Sequence, residues 1–219
     1  MSVNAADWCR NLSDRLHALV GRVRNVGIPD KARAIKKLFA EVDRDIETFR
    51  RKMDLSCPQR CGHCCENARV ETTELDMLPM AMRLVRLGEA ERLYEAADRL
   101  EFEGRCVLYH PDEGHTGRGR CGCYELRPLV CRMFAFSGNP DKHGQNRLVV
   151  CGVLRDRVPD TVRRACAQVE SGAVRPPLMA DYILKAAMPD PEMAREQLPI
   201  NLAFKRAVDR VWLYRKFHS

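Results

Sequence analysis

Long apolar runs and an export signal are both missing from this sequence. No apolar stretch approaches the roughly 20 residues that a transmembrane helix requires. The first eight residues do not combine a basic segment with an apolar one, as the start of a secretory signal does. We therefore expect a cytoplasmic protein without a membrane contact, whose thiols are kept reduced.

Internal repeats and an alternation of strand and helix patterns are missing as well. A hydrophobic content of 45% excludes a fully disordered chain. Apolar residues recur mainly at helical spacing, so we predict a mostly α fold, a helical bundle packed around an irregular cysteine-rich metal-binding centre. We expect a helical hairpin over residues 1–56, a cysteine-cluster metal-binding domain over 57–170 and a C-terminal helical extension over 171–219, together forming one compact unit.

The apolar spacing predicts two amphipathic helices before the cysteines. The first covers residues 8–23, and the second carries an apolar stripe from Ile35 to Met53. Gly27, Ile28 and Pro29 are expected to separate them, and Asp30 is the candidate cap of the second helix.

Further helices are predicted after the cysteine-rich start of the second segment. Thr73 or Thr72 is the candidate cap of one, and Pro79 inside it predicts a kink or two consecutive pieces. The composition of residues 111–120 predicts a polar loop, and that of residues 148–150 predicts a short strand. Asp160 and Asn201 are the candidate caps of two later helices.

The net charge of +7 is modest and is spread over helical segments rather than gathered in a tail. Solvated helix faces explain such a distribution, and no recognised nucleic-acid-binding module accompanies it. We therefore do not expect nucleic acid as a partner, and a protein or small-molecule partner stays unidentified.

Eleven cysteines are the unusual feature of the composition. Their odd number and the absent export signal argue against a disulfide framework, whereas close-spaced thiols in a reducing compartment typically bind metal. Four of them lie in the segment Cys57–Cys65, with Pro58 and Gly62 at its bends. Thiolates are soft anionic donors that suit zinc and iron, and the spacing of Cys61 and Cys64 lets two sulfurs converge on one ion.

Cys64 and Cys65 are adjacent, so their side chains diverge. Chelation of one tetrahedral ion by both is awkward. One of them then serves a second metal, bridges two metals, remains a reactive thiol or simply packs against its neighbours.

The downstream cysteines supply the remaining donors. The predicted metal ligands are eight: Cys57, Cys61, Cys64, Cys65, Cys106, Cys121, Cys131 and Cys151. This number suits two four-sulfur sites, or one cluster and one zinc. Cys123 is an alternative to Cys121, while Cys9 and Cys166 are interpreted as packing residues.

Several other side chains lie close to these cysteines in the sequence. Arg127 and Arg132 would offset the negative charge of thiolates or bind an acidic substrate, and with Tyr124 they are candidate cofactor-binding residues. An equally acceptable interpretation is that Arg127 and Tyr124 only brace the loop by hydrogen bonds. His63 is the best histidine candidate for a ligand, although a solvated loop histidine is the simpler interpretation.

The cysteine pattern resembles the CxxCxxCC cysteine-cluster family (YkgJ-like proteins). The resemblance rests on Cys57–Cys65, on Cys106 and on the motif from Cys121 through Tyr124, Arg127 and Pro128 to Cys131 and Arg132. It spans roughly residues 57–152, with a first spacer of three residues where the family has two. The family is described as a zinc- or iron-chelating domain, so the resemblance implies bound zinc, iron or an iron–sulfur cluster.

The resemblance extends to flagellin lysine methylases, which implies an iron–sulfur cluster and S-adenosylmethionine by analogy alone. No glycine-rich methyl-donor motif accompanies it. The spacing of Cys57, Cys61 and Cys64 also occurs in radical S-adenosylmethionine enzymes, but these place it after the first strand of a partial barrel, where this chain has a helix.

We therefore predict a cytoplasmic metal-binding protein with an iron–sulfur cluster, zinc or iron. The alternatives are an iron–sulfur enzyme, for methyl transfer or redox chemistry, and a zinc-stabilised module that binds a protein or nucleic acid.

Overall fold

The computed structural model describes residues 27–67, 69–100 and 104–218. Its longest helix, α1, is Ile28–Met53, and the predicted apolar stripe is its buried face. The helix begins earlier than predicted, because Pro29 in the first turn has a backbone φ that already suits a helix. Asp30 is therefore not the cap, a correction, and its carboxylate pairs with Arg33 instead. The helix predicted over residues 8–23 lies outside the described residues.

Two helices follow the first cysteine segment, α2 at Glu74–Leu87 and α3 at Ala90–Arg99. The predicted cap is confirmed, since the Thr73 hydroxyl accepts the Asp76 backbone N–H at 3.1 Å. Pro79 lies inside one continuous helix, so of the two predicted alternatives the division into two pieces is wrong, and the kink stays a prediction. Pro79 is only the sixth residue of α2, and burial of the helix on nearly every side offsets the single hydrogen bond that it removes.

Short strands hold the cysteine-rich middle of the chain. β1 (Glu71–Thr72) pairs with β6 (Leu198–Pro199), β2 (Tyr109–Pro111) with β3 (Gly119–Cys121), and β4 (Gly138–Pro140) with β5 (Asn146–Leu148), all antiparallel. The segment predicted as a plain loop over 111–120 is thus the end of a β-hairpin. The strand predicted over 148–150 lies two residues earlier, and strands this short leave no alternating apolar pattern to detect.

The other helices are a 3₁₀ turn at Tyr124–Leu126, α4 at Leu129–Met133, α5 at Gly152–Arg157, α6 at Pro159–Glu170, α7 at Met179–Ala187 and α8 at Ile200–His218. Asp160 lies in the first turn of α6 and makes no cap hydrogen bond, which corrects the prediction. Asn201 is not a cap either, because it lies within α8 and its side chain binds a distant loop.

The mostly helical architecture is confirmed. α2 packs against α1 and α8, and one hydrophobic cluster joins them to the cysteine-bearing hairpin. Phe204, Leu78 and Ile35 are fully buried within that cluster. Helices from all three expected segments meet there, and the proposed segment boundaries stay a prediction. Within the described parts of the chain, no helix has the length and apolar character needed to cross a membrane.

Candidate metal centre

The segment Cys57–Cys65 lies beside the β2–β3 hairpin and is hydrogen-bonded to it. The Gly62 N–H donates to the Gly117 carbonyl at 2.8 Å, and the Gly119 N–H donates to the Arg60 carbonyl at 2.9 Å. Between these bonds Cys61 lies opposite Arg118 in a single antiparallel bridge. Backbone hydrogen bonds thus attach the first cysteine motif to a hairpin more than fifty residues later in the sequence.

Glycine is required where the two segments meet. A Cβ atom on Gly62 would lie 2.3 Å from the Tyr109 hydroxyl oxygen. Gly117 has a φ of +71°, and a Cβ there would lie 2.2 Å from the His63 ring. The two segments can therefore approach this closely only because both positions lack a side chain.

Tyr109 and Glu66 reinforce the same junction. The Tyr109 hydroxyl donates to the Arg118 carbonyl at 2.8 Å and lies 3.3 Å from the Glu66 carboxylate. That carboxylate also accepts the Gly117 N–H at 3.0 Å. Neither residue was singled out from the sequence, because their partners come from a different part of the chain.

Hydrogen bonds from two parts of the chain hold the backbone around Cys106 in place. Its N–H donates to the Cys65 carbonyl at 3.1 Å. The buried Asn201 side chain accepts the Val107 N–H at 2.9 Å and donates to the Arg105 carbonyl at 3.0 Å. Asn201 therefore connects α8 to the backbone on both sides of Cys106, a role that its sequence position did not indicate.

Cys121 lies at the end of β3, directly opposite Tyr109 in the hairpin register. Cys131 lies in α4, and its N–H donates to the Pro128 carbonyl at 3.0 Å. Cys151 immediately precedes α5, where its carbonyl accepts the Arg155 N–H. These three predicted ligands thus come from the end of a strand, the middle of one short helix and the residue before another.

Arg132 organises the turn that leads to Cys131. Its buried guanidinium donates to the Arg127 carbonyl at 2.8 Å, to the Glu125 carbonyl and to Asp43 of α1. It also lies over the Phe39 ring, 4.2 Å from its centroid. These contacts brace the loop against α1.

Arg127 and Tyr124 also contact each other. The Arg127 guanidinium stacks 3.9 Å above the Tyr124 ring and donates to the Tyr124 carbonyl at 2.9 Å. The Tyr124 side chain is otherwise exposed. The charge of Arg127 lowers the pKa of the Cys64 thiol, although a hydrogen bond from Cys65 is the larger cause. Arg127 is therefore both a loop brace and an electrostatic neighbour of the thiols.

Thiols from other parts of the chain affect the pKa values of thiols in the first motif. Burial raises the pKa of Cys57 to about 11, and Cys61, Cys151 and Cys64 add to the increase while Arg50 opposes it. The hydrogen bond with Cys64, followed by burial, raises the pKa of Cys65, and Cys106 and Cys131 contribute. Arg50 was missed from the sequence because it belongs to α1.

The downstream thiols show the same mutual influence. Burial raises the pKa of Cys106 to about 12, with further increases from Cys121 and Cys64. Burial also raises the pKa of Cys131, and Cys106, Cys64 and Cys121 add to it. Each of the eight predicted ligands thus lies within electrostatic reach of at least one other. Cys64 is a neighbour of thiols from both halves of the set.

Proximity does not amount to a finished coordination site. Among residues 27–67, 69–100 and 104–218, no three or more histidine, cysteine, aspartate or glutamate side chains are arranged to hold a metal ion. The metal-binding part of the expected architecture is therefore not present in the described geometry. The chemistry of the donor set nevertheless suits zinc or iron, since closely spaced thiols are the ligands that both prefer.

The remaining cysteines differ from this set. All ten cysteines of the described parts are free thiols. Burial raises the pKa of Cys123, with an added effect of Cys121, whereas Cys64 is among the neighbours that affect Cys121. Cys166 packs against the hydrophobic core, as expected, and Cys9 lies outside the described residues. His63 is exposed beside Gly117.

Residues 56–167, about half of the chain, match the family model CxxCxxCC, described as "Putative zinc- or iron-chelating domain". The chain belongs to the CxxCxxCC family. The match confirms the resemblance deduced from the cysteine spacing and ends within α6. No curated protein and no solved structure matches the chain.

Proposed function

We propose that this member of the CxxCxxCC family binds zinc or iron through Cys57, Cys61, Cys64, Cys65, Cys106, Cys121, Cys131 and Cys151. The observation that carries the proposal is the position of Cys64, which affects the pKa values of Cys57, Cys106, Cys121 and Cys131. Thiols from distant parts of the chain are thus neighbours. A cation among them would relieve both their mutual repulsion and the cost of burying thiolates.

Cys121 is preferred to Cys123 in this set. Cys64 of the first motif raises the pKa of Cys121, whereas the thiols coupled to Cys123 are the downstream Cys106 and Cys121. We assign Arg127 and Arg132 the role of holding the loop of the site in place, with Tyr124 as the stacking partner of Arg127.

The ten free thiols of the described residues are typical of a reducing compartment, and we propose the cytoplasm.

Anaerobic purification followed by zinc, iron and acid-labile sulfide analysis tests the proposal. Bound zinc without colour indicates zinc ions, whereas iron with equimolar sulfide and broad visible absorption indicates an iron–sulfur cluster. Protein that contains neither metal and cannot be reconstituted with either would contradict the proposal.

A pair of matched variants tests the ligand set. We expect Cys64→Ser to lose most of the bound metal, because Cys64 neighbours thiols of both halves. Cys166→Ser, a packing cysteine of α6, should retain it. Equal metal content in the two variants would contradict the assignment of Cys64 as a ligand.

An enzymatic role is a further alternative that rests on the resemblance alone. Titration of metal-loaded protein with S-adenosylmethionine tests its methyl-transfer version, and the absence of binding would remove it.

A further inference from the structure

The surface formed by α1, α2 and α8 contains a groove of about 880 Å³ that is lined by none of the predicted ligands. Its floor and walls are apolar, with half-buried Ile28 and Met82 and buried Ala32, Val85 and Val211. Leu87 at the rim is 57% exposed. Apolar surface that is left open to water in this way is typical of a binding site.

Cations surround this apolar floor. Five line the groove, Arg33, Lys36, Arg83, Arg86 and Arg215, against one carboxylate, that of Glu125. Glu125 pairs with Arg83 at 3.7 Å, and Arg33 pairs with Asp30 outside the groove. Lys36 and Arg86 form no ion pair with any residue of the described parts. The groove therefore has an unbalanced positive charge on two of its helical walls.

The dimensions fit a short helix. The lining residues cover 28–36 of α1 and 79–87 of α2, each about 13 Å long at 1.5 Å per residue. A helix about 10 Å wide and 13 Å long occupies roughly 1000 Å³, close to the volume of the groove. Two turns of a helix with its apolar face inward would thus fill it.

We propose that this groove binds an acidic amphipathic helix of a partner protein. The apolar face of that helix covers Met82 and Val85, and its carboxylates pair with Lys36 and Arg86. The groove also borders Glu125 and Leu126, which lie two and three residues after Cys123. A partner bound here lies against the loop that connects Cys121 to Cys131, beside the candidate metal centre.

Fluorescence anisotropy with a labelled helical peptide of about 15 residues, leucine on one face and glutamate on the other, tests the proposal on the full-length protein. We expect the double variant Lys36→Glu and Arg86→Glu to bind at least about tenfold more weakly, because it reverses the charges on both walls. Met82→Asp should weaken binding as well. The double variant Arg163→Glu and Arg164→Glu, which reverses exposed charges on α6, is the matched control and should bind normally.

Three results would overturn the proposal. The first is equal binding of a scrambled peptide of the same composition, which means attraction to any polyanion. The second is binding to phosphatidylglycerol vesicles that the groove variants abolish while peptide binding is unaffected, which means a lipid surface. The third is about tenfold tighter peptide binding by the variant Leu12→Glu, Leu16→Glu, which means that residues 1–26 are the occupant.

Discussion

Asp76 is a single residue with an unusual environment. It is buried in α2, where one of its carboxylate oxygens has no hydrogen-bond partner among the residues that the structure describes. Burial raises its pKa to about 6, and the Thr72 hydroxyl, the Leu129 backbone amide and the charge of Arg132 only partly oppose this. The site therefore favours a protonated acid, which connects α2 to the helix that carries Cys131.

This gives the first prediction. Between about pH 4 and 6 the folded protein binds a proton at Asp76 that the unfolded chain has released, so the free energy of unfolding falls as pH rises. The loss is on the order of 2–3 kcal/mol and is nearly complete about one pH unit above the pKa of the folded protein. Asp76→Asn should remove this part of the slope and be more stable at pH 7, as measured by urea unfolding at several pH values.

The exposed Asp54 provides the control for the change from aspartate to asparagine. Its φ of +54° suits asparagine equally well, so Asp54→Asn should fold like the original protein. Identical slopes in Asp76→Asn and the original protein would refute the assignment to Asp76.

Gly62 supplies the second prediction at the scale of one residue. An added methyl group would lie 2.3 Å from the Tyr109 hydroxyl oxygen, so Gly62→Ala must push the first cysteine motif away from the hairpin. We expect a loss of about 1–3 kcal/mol in stability and lower metal content. Urea unfolding and metal analysis measure both.

Gly152 is a suitable comparison because it also adjoins a predicted ligand. A Cβ there would meet no atom within 4 Å, so Gly152→Ala should leave stability and metal content nearly unchanged. If the two alanine variants behave alike, steric contact with Tyr109 is not what requires glycine at position 62.

At the scale of elements, the Asn201 side chain attaches α8 to the cysteine region. Asn201 satisfies the backbone groups on both sides of Cys106, and the remainder of α8 packs against α2. A helix distant in sequence thus fixes the position of a predicted ligand.

The third prediction follows from this attachment. Asn201→Ala leaves the Val107 N–H and the Arg105 carbonyl without a partner, which costs about 1–3 kcal/mol. We expect weaker zinc affinity, measured by competition with a coloured chelator, because Cys106 is no longer held in place. Asn139→Ala, at an exposed position of β4, should bind zinc normally. Unchanged affinity in Asn201→Ala would show that α8 does not position Cys106.

At the scale of the whole molecule, two kinds of structure adjoin each other. α1, α2 and α8 contribute long apolar faces to the hydrophobic core. The cysteine-bearing segments instead consist of short strands and turns, held by single hydrogen bonds. These two regions should therefore respond differently to the loss of metal.

The fourth prediction is that a chelator unfolds only the second region. Removal of metal should leave most of the far-ultraviolet helical signal, while amide hydrogen exchange accelerates in residues 57–66 and 104–123. Restored zinc or iron should restore protection there. Loss of the helical signal on chelation would mean that the core itself depends on metal, and unchanged exchange would mean that no metal supports the hairpin.

Local chemistry was sufficient for several features of this protein. The apolar stripe of α1, the Thr73 cap and the end of α2 at Gly88 depend on residues within a few positions of one another. The cysteine spacing was equally local, and it identified the family and the donor chemistry.

The residues that hold the candidate metal centre in place could be identified only from the tertiary structure. Asparagine is a common helix cap, so the sequence predicted that role for Asn201. Only the packing of α8 against α2 brought Asn201 to Cys106. Asp43 reached Arg132, and Tyr109 reached Gly62, across large sequence separations. Such contacts leave no periodic or short-range pattern, because they arise where separately formed elements meet. The sequence alone therefore determined which atoms can bind a metal, and the tertiary structure decided which of them become neighbours.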